Sequence, residues 1–368
     1  MKIPLVDLAA QHAEIAGEIA QGFERVINDT GFVLGDEVGR FESAFAEFSS
    51  VRHCIGVANG TDALELCLRA LGVGAGDEVI VPTNSFAASA LAVVRAGATP
   101  VFCDIDADTY LIDPSDAAKR ITRSTKAIMP VHLYGQICLM EQIADLATSE
   151  NLYVVEDAAQ AQGASRLGTR AGGFGVAAGT SFYPGKNLGA YGDAGAVLTN
   201  SDDVAERVRG LRNYGAKHKY IHSQMGFNSR LDSLQAAVLN VKLKRLTRWN
   251  DQRREAAHRY AELLRDTEDI LLPSTSSPGE HIWHLFVVRV RDRDTVLRTL
   301  NEAGIGAGVH YPVPIHLQPA FGFLGSKAGD LPVAEEIASE ILSLPIYPEI
   351  TEEQQRFVAD SLLRALRS

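Results

Sequence analysis

Apolar positions near the start of the chain recur at helical spacing. Residues 5–48 read as helical with an interruption at Gly31–Gly35 (GFVLG), and Phe41, Phe45 and Phe48 share one stripe, which predicts core. Beyond residue 50 the pattern changes, and short apolar runs alternate with longer periodic segments. The runs predict strands at Cys54–Val57, Asp77–Val81, Thr99–Asp104, Thr125–Val131, Tyr153–Asp157 and Gly195–Thr199. The segments between them predict helices at Asp62–Leu71, Ala87–Ala96 and Leu139–Ser149. Apolar strands separated by helices predict a mostly parallel sheet covered on both faces. Ligands of such sheets bind beyond the carboxyl ends of the strands.

A long basic helix is expected over Leu231–Leu264, carrying Lys242, Lys244, Arg245, Arg248, Arg253, Arg254 and Arg259. Such a run reads as a solvated face and as a connector to a second unit. That unit has a strand at His284–Val290, a helix at Arg293–Ala303, a Pro/His loop at His310–Pro319 and a helix at Val333–Leu342. A chain of 368 residues exceeds the size at which one core stops growing. The division expected is a large domain over 1–245 and a smaller C-terminal domain over 246–368.

Composition narrows the function classes. The net charge of −11 argues against a general nucleic-acid surface, although a local pocket can still be positive. Cys54, Cys67, Cys103 and Cys138 lack metal or redox spacing, so they read as buried, reduced thiols and no metal is expected. The start, MKIPLVDLAAQHAEI, lacks the apolar segment of a signal peptide, and no run is long enough to span a membrane. A cytoplasmic location is the expectation.

The candidate chemistry falls at predicted strand ends. Lys186 lies in a loop of small residues (TSFYPGKN), 29 positions after Asp157, which ends the strand Tyr153–Asp157. A lysine amine condenses with an aldehyde, and a strand-end carboxylate keeps a pyridine nitrogen protonated, which together are what pyridoxal phosphate requires. Gln160 is placed to reach the ring's 3-hydroxyl oxygen, while an N-cap aspartate followed by a helical glutamine is the plainer reading of the pair. In Asn59-Gly60-Thr61-Asp62, Gly60 permits close backbone approach and the first helical N–H groups suit a phosphate; an ordinary capped helix explains the same tetrad. Ser181, five residues before Lys186, suits the same phosphate. Phe86, after the strand Asp77–Val81, is either core or a stacking face for a flat ring.

Taken in order, these motifs resemble the DegT/DnrJ/EryC1/StrS family of nucleotide-sugar aminotransferases. The resemblance runs through GFVLG, FESAFAEF, NGTDAL, GDEVIVP, TKAIMPVHLYG, VEDAAQAQGA, SFYPGKNLGAYGDAGAV, GFNSRLDSLQAAVL and HYPVPIHLQ. It implies an α/β, PLP-dependent aspartate-aminotransferase-type fold (fold type I), with a mostly parallel sheet between helices in the large domain and a smaller C-terminal α+β domain. It also implies pyridoxal 5'-phosphate as cofactor, with Lys186 attached to it and Asp157 on the ring nitrogen. Gln160 would contact the 3-hydroxyl oxygen, Phe86 the ring, and Gly60, Thr61 and Ser181 the phosphate.

The family's active site lies at a homodimer interface, so Asn228 would reach the partner's cofactor phosphate. Lys219, Tyr220 and Arg230 are the candidates for the substrate diphosphate, and Tyr183, His310 and Tyr311 for the hexose. Relatives that dehydrate sugars carry histidine in place of Lys186, and iron–sulfur relatives need cysteines beyond Cys138, so transamination is expected here. The PGKNLGAYGD stretch is similar to enzymes acting at C3, which implies a dTDP-3-keto-6-deoxyhexose as acceptor and L-glutamate as donor. A 4-keto sugar, a UDP-N-acetyl-3-keto sugar or a non-sugar cyclic ketone are alternatives with the same chemistry. A non-catalytic, sugar-nucleotide-binding regulatory protein is the alternative of another class.

Overall fold

The structure is a computed structural model that describes residues 1–218, 220–276 and 278–367, with the backbone alone at 217 and 218. Two helices open the chain, α1 (Leu8–Asn28) and α2 (Asp36–Ser49), and Asp7 caps the first by accepting the N–H groups of Ala9 and Ala10. The expected break at Gly31–Gly35 separates them. Phe41 and Phe45 are buried as expected, each edge-on to Phe182 at 5.2 Å, whereas Phe48 is half-buried.

Strands and helices then alternate: β1 (His53–Val57), α3 (Gly60–Ala70), β2 (Glu78–Pro82), α4 (Ala88–Ala96), β3 (Thr99–Cys103), α5 (Pro114–Lys119), β4 (Thr125–Ile128), α6 (Met140–Glu150) and β5 (Tyr153–Asp157). A ribbon of β6 (Ser165–Arg166) and β7 (Thr169–Arg170) leads to β8 (Ala177–Ser181) and β9 (Gly195–Thr199). The seven-stranded sheet has the order β1-β9-β8-β5-β4-β2-β3. Its pairings are parallel except at β9, which runs antiparallel to both neighbours. Strand β8, with the sequence AAGTS, was not foreseen, because small residues carry no apolar signal.

One face of the sheet packs against α3, α4 and α7 (Asp202–Leu211), which bury Leu64, Leu68, Val93 and Val208. On the other face lie α5, α6 and, from the far end of the chain, α11 (Pro332–Glu340). Burial on both faces is why the strands read as continuous apolar runs.

A short ribbon, β10 (Ala216–His218) and β11 (Ile221–His222), precedes α8 (Ser233–Leu243). The long basic helix expected over Leu231–Leu264 is two helices, α8 and α9 (Leu246–Leu264), separated at Lys244 and Arg245. Nor is its basic face simply solvated. Lys242 and Arg253 are buried, and Arg245 and Arg248 pair with Glu14 and Glu18 of α1.

The second sheet has the order β12 (Ile270–Leu271), β13 (Phe286–Val290), β14 (Ile341–Leu344) and is antiparallel throughout. With α9, α10 (Arg293–Glu302) and α12 (Glu352–Ala365) it encloses a separate core that also takes in Ile3. The helix expected to run to Leu342 ends at Glu340, and the next four residues are β14, a buried apolar run whose type its pattern does not distinguish. Among the described residues no helix is long and apolar enough to cross a membrane.

Candidate active site

The carboxyl ends of β1, β2, β5 and β8 meet at one edge of the large sheet, where β9 begins, with Ser181 and Val57 both opposite Gly195. Asp157 closes β5 and is buried. Its carboxylate accepts from Ser89 Oγ at 2.7 Å and from the Ala159 N–H at 3.1 Å. Burial pushes its pKa up, and those two hydrogen bonds together with the charge of Lys186 oppose the shift. Ser89 is held in turn by Ser85, oxygen to oxygen at 2.7 Å.

Lys186 follows β8 in a tight loop, where its N–H donates to Tyr183 O at 2.8 Å. Burial pushes its amine down to about 8, against the opposing pull of Asp157. An amine so shifted holds a far larger unprotonated fraction near neutral pH than a surface lysine, as a nucleophile requires.

Gln160 is oriented at both ends, Oε1 accepting from the Tyr134 N–H at 2.7 Å and Nε2 donating to the Tyr311 hydroxyl at 3.2 Å. Burial raises the Tyr311 hydroxyl pKa, and the charge of Asp157 raises it further. Phe86 is 57 % exposed with its ring centroid 5.6 Å from that of Tyr311, so it is not a core side chain. His310, joined to Tyr311 by a cis peptide bond, makes a 2.8 Å Nδ1 contact with Ser343 Oγ, and burial and Lys186 push it down to about 4.

At the start of α3, Asn59 accepts the Asp62 N–H at 2.8 Å, which leaves the N–H groups of Gly60 and Thr61 at the helix mouth. A Cβ on Gly60 would lie 2.6 Å from Ser181 Cβ, so glycine is what lets the helix start approach β8. Ser181 Oγ accepts from the Tyr183 N–H at 3.3 Å, which directs its own proton elsewhere.

Asn228 and Arg230 flank Ser229, whose hydroxyl donates to Asp62 at 2.7 Å, so this segment is anchored beside α3. Asn228 is exposed and bridged to Asn213, whose side chain accepts from Arg230 at 3.1 Å. The Arg230 guanidinium lies 5.5 Å from the centroid of the Tyr214 ring. Tyr183 and Tyr220 are exposed, and Lys219 lies outside the described residues.

Among the buried polar partners that escaped sequence reasoning are Ser89, Tyr134, Asn187 and His284. Ser85 and Ser89 carried a signal, two hydroxyls one helical turn apart beside Phe86. The other three lie far from their partners in the chain, and nothing local marks them.

A lysine amine and a buried carboxylate at the carboxyl edge of a mostly parallel sheet, with an open helix start beside them, define a pyridoxal-phosphate enzyme of fold type I. The chain belongs to the DegT/DnrJ/EryC1/StrS aminotransferase family, which it matches over residues 13–363. It is 48% identical over 98% of its length, and 99% of the relative's, to a dTDP-3-amino-3,6-dideoxy-alpha-D-galactopyranose transaminase of Aneurinibacillus thermoaerophilus. It is 46% identical over 100% of its length, and 99% of the relative's, to a pleiotropic regulatory protein of Geobacillus stearothermophilus. A crystal structure of S. venezuelae DesV in complex with a ketimine intermediate superposes with a TM-score of 0.97 and 44% identity, over 100% of this chain and 99% of that one. The protein is a PLP-dependent aminotransferase.

Proposed function

We propose that the protein transfers the amino group of L-glutamate to C3 of a dTDP-3-keto-6-deoxyhexose, with Lys186 and Asp157 at the reacting centre. The observation that carries the catalytic part of this reading is the placement of Lys186 and the buried, hydrogen-bonded Asp157 carboxylate at the same sheet edge. The residues present suit the cofactor. The Gly60–Ser181 approach and the open N–H groups of α3 suit its phosphate, the exposed face of Phe86 its ring, and Asp157 its pyridinium nitrogen.

Bound there, pyridoxal phosphate supplies an electron-withdrawing ring for the carbon that bears the amino group. The chain's own residues do the rest. Asp157 holds the ring proton, which requires its carboxylate form. Gln160, fixed by Tyr134 and Tyr311, presents its amide beside the ring. Lys186 Nζ takes a proton from the donor carbon and, in the second half-reaction, returns one to the sugar carbon. Both half-reactions use one amine, so kinetics are ping-pong.

The KNLGAYGD stretch and the similarity to a transaminase named for a dTDP-3-amino sugar support this acceptor. Arg230 is assigned to the diphosphate. The large and small domains meet at 245/246, and the chain acts as a homodimer in which Asn228 serves the partner's phosphate site. Exposed apolar side chains in two segments, Phe32–Leu34 and Tyr214–Met225, support a second copy as their cover. The regulatory reading, which the similarity to a pleiotropic regulatory protein favours, needs no lysine with a lowered pKa opposite a buried aspartate.

The test is a panel of dTDP- and UDP-linked 3-keto and 4-keto sugars with glutamate, the product amine being located by NMR. Amination at C3 of the dTDP sugar is expected. Amination at C4, or preference for UDP, rejects the substrate and keeps the chemistry. No amine from any acceptor, with glutamate also failing to discharge the loaded protein, rejects the catalytic reading.

A further inference from the structure

Asn187, next to Lys186, is buried and makes three side-chain hydrogen bonds. Its Nδ2 donates to Asn250 Oδ1 at 2.9 Å and to Ile282 O at 3.1 Å. A carbonyl only accepts, so the orientation of the Asn187 amide is settled by Ile282. Its Oδ1 therefore faces His284 Nδ1 at 3.1 Å, and that ring nitrogen must carry the proton. Asn250 is oriented in the same way, because its Nδ2 donates to Gln162 O at 3.0 Å. Gln162 Nε2 in turn donates to Ala159 O at 3.1 Å and Ser181 O at 2.8 Å. The approach is close: Gly163 has φ +98, and a Cβ there would lie 2.8 Å from Asn250 Nδ2.

One unbroken chain of bonds thus runs from the loop after Asp157, through Asn250 on α9, to the residue beside Lys186, and on to His284 at the entrance to β13. Each hydrogen bond named in it has one admissible direction. Side chains so constrained carry rigidity from one loop to another.

We propose that Asn187 is a positioning residue that fixes the Lys186 amine relative to Asp157, with Asn250 and His284 as its two anchors and His284 held as the Nδ1–H tautomer. The inference rests on the assignment of Lys186 as the attachment residue. Without the Asn187 amide the lysine loop is tied to neither anchor. The amine is then misplaced.

The test uses the full-length protein loaded with pyridoxal phosphate, compared with Asn187→Ala and Asn250→Ala. Three quantities are read: the rate at which added cofactor is captured, followed by absorbance; the visible circular dichroism of the bound cofactor; and the tautomer of His284 by NMR of histidine-labelled protein. Asn187→Ala is expected to slow capture roughly tenfold to a hundredfold, the size that a misplacement of about 1 Å costs. It should also change the dichroism and release His284 from the Nδ1–H form, with borohydride still attaching the cofactor at Lys186. Asn250→Ala, whose change lies outside the loop, should move the first two readouts in the same direction by a smaller factor, so the test stands if Asn187→Ala does not fold. Capture and dichroism equal to the parent's in both variants overturn the positioning role. An Nε2–H tautomer in the parent overturns the directed chain. Attachment at a lysine other than Lys186 in the parent overturns the assignment beneath the inference, a different result from either.

Discussion

Ser89 donates its hydroxyl to Oδ2 of Asp157 at 2.7 Å. The bond joins the first turn of α4 to the last residue of β5 and favours the carboxylate over the acid, against the burial that raises its pKa. Ser89→Ala should therefore raise the Asp157 pKa further. A hydrogen bond to a charged group is worth about 1.5–3 kcal/mol, so turnover should fall roughly tenfold or more, and the acid limb of the pH–rate profile should move to higher pH. An acid limb that stays in place separates Ser89 from Asp157.

Asp157→Asn should act in opposite directions on activity and stability. A neutral amide cannot hold the ring proton, so turnover should drop by roughly three orders of magnitude, the upper end for a single electrostatic group. The folded pKa of Asp157 is raised above its unfolded value, so its favourable contribution is present at low pH and lost as pH rises through the folded pKa. Cofactor-free Asp157→Asn should accordingly be more stable than the parent in mildly alkaline buffer, with the gap closing in acid. Thermal unfolding across pH measures this, and a less stable variant at pH 8 rejects it.

For Lys186 the sign reverses. Its folded pKa is depressed to about 8 from an ordinary 10.5, so stability present above the unfolded pKa is lost as pH falls through about 8. Cofactor-free Lys186→Met should be more stable than the parent at pH 7, and the two should converge as pH rises toward 10.5. Parallel melting curves over that interval would mean that the amine is not desolvated.

Gly60→Ala tests the phosphate corner. Its new Cβ would lie 2.6 Å from Ser181 Cβ, so α3 and β8 must separate, at a cost of about 1–3 kcal/mol. Cofactor affinity should fall with stability. Gly39→Ala is the control: it lies inside α2 with nothing within 4 Å of its Cβ, and helix propensity predicts a gain of up to about 1 kcal/mol. Unchanged cofactor affinity in Gly60→Ala removes the phosphate from this corner.

Asn228 carries a prediction about assembly. Two inactive variants, Lys186→Ala and Asn228→Ala, should regain activity when their subunits are exchanged, because each hybrid holds one site with neither defect. Verified exchange with no return of activity would place Asn228 in its own subunit's site.

Much of this protein was legible along the chain. Alternating apolar runs and helical stripes carried β1 to β5, β9 and the helices α3, α4 and α6, though not the short α5, because burial on both faces leaves a continuous apolar signature. Lys186, Asp157, Gln160 and Phe86 stood out as candidates because strand ends and small-residue loops have local marks. The local pattern failed where it carries two meanings or none. The small residues of β8 and the apolar run of β14 have no distinctive period, and the basic stretch gave no sign of the break at Arg245.

What the tertiary structure alone decided is how those groups are held. Ser89 reaches Asp157 across 68 positions, Tyr311 reaches Gln160 across 151 and His284 reaches Asn187 across 97. No periodicity links residues so far apart. Their meeting depends on strand order and on the docking of α9 and β13 against the large sheet. The chemistry proposed for this site therefore rests on residues the chain displays, and the geometry around them comes from partners that only packing brings together.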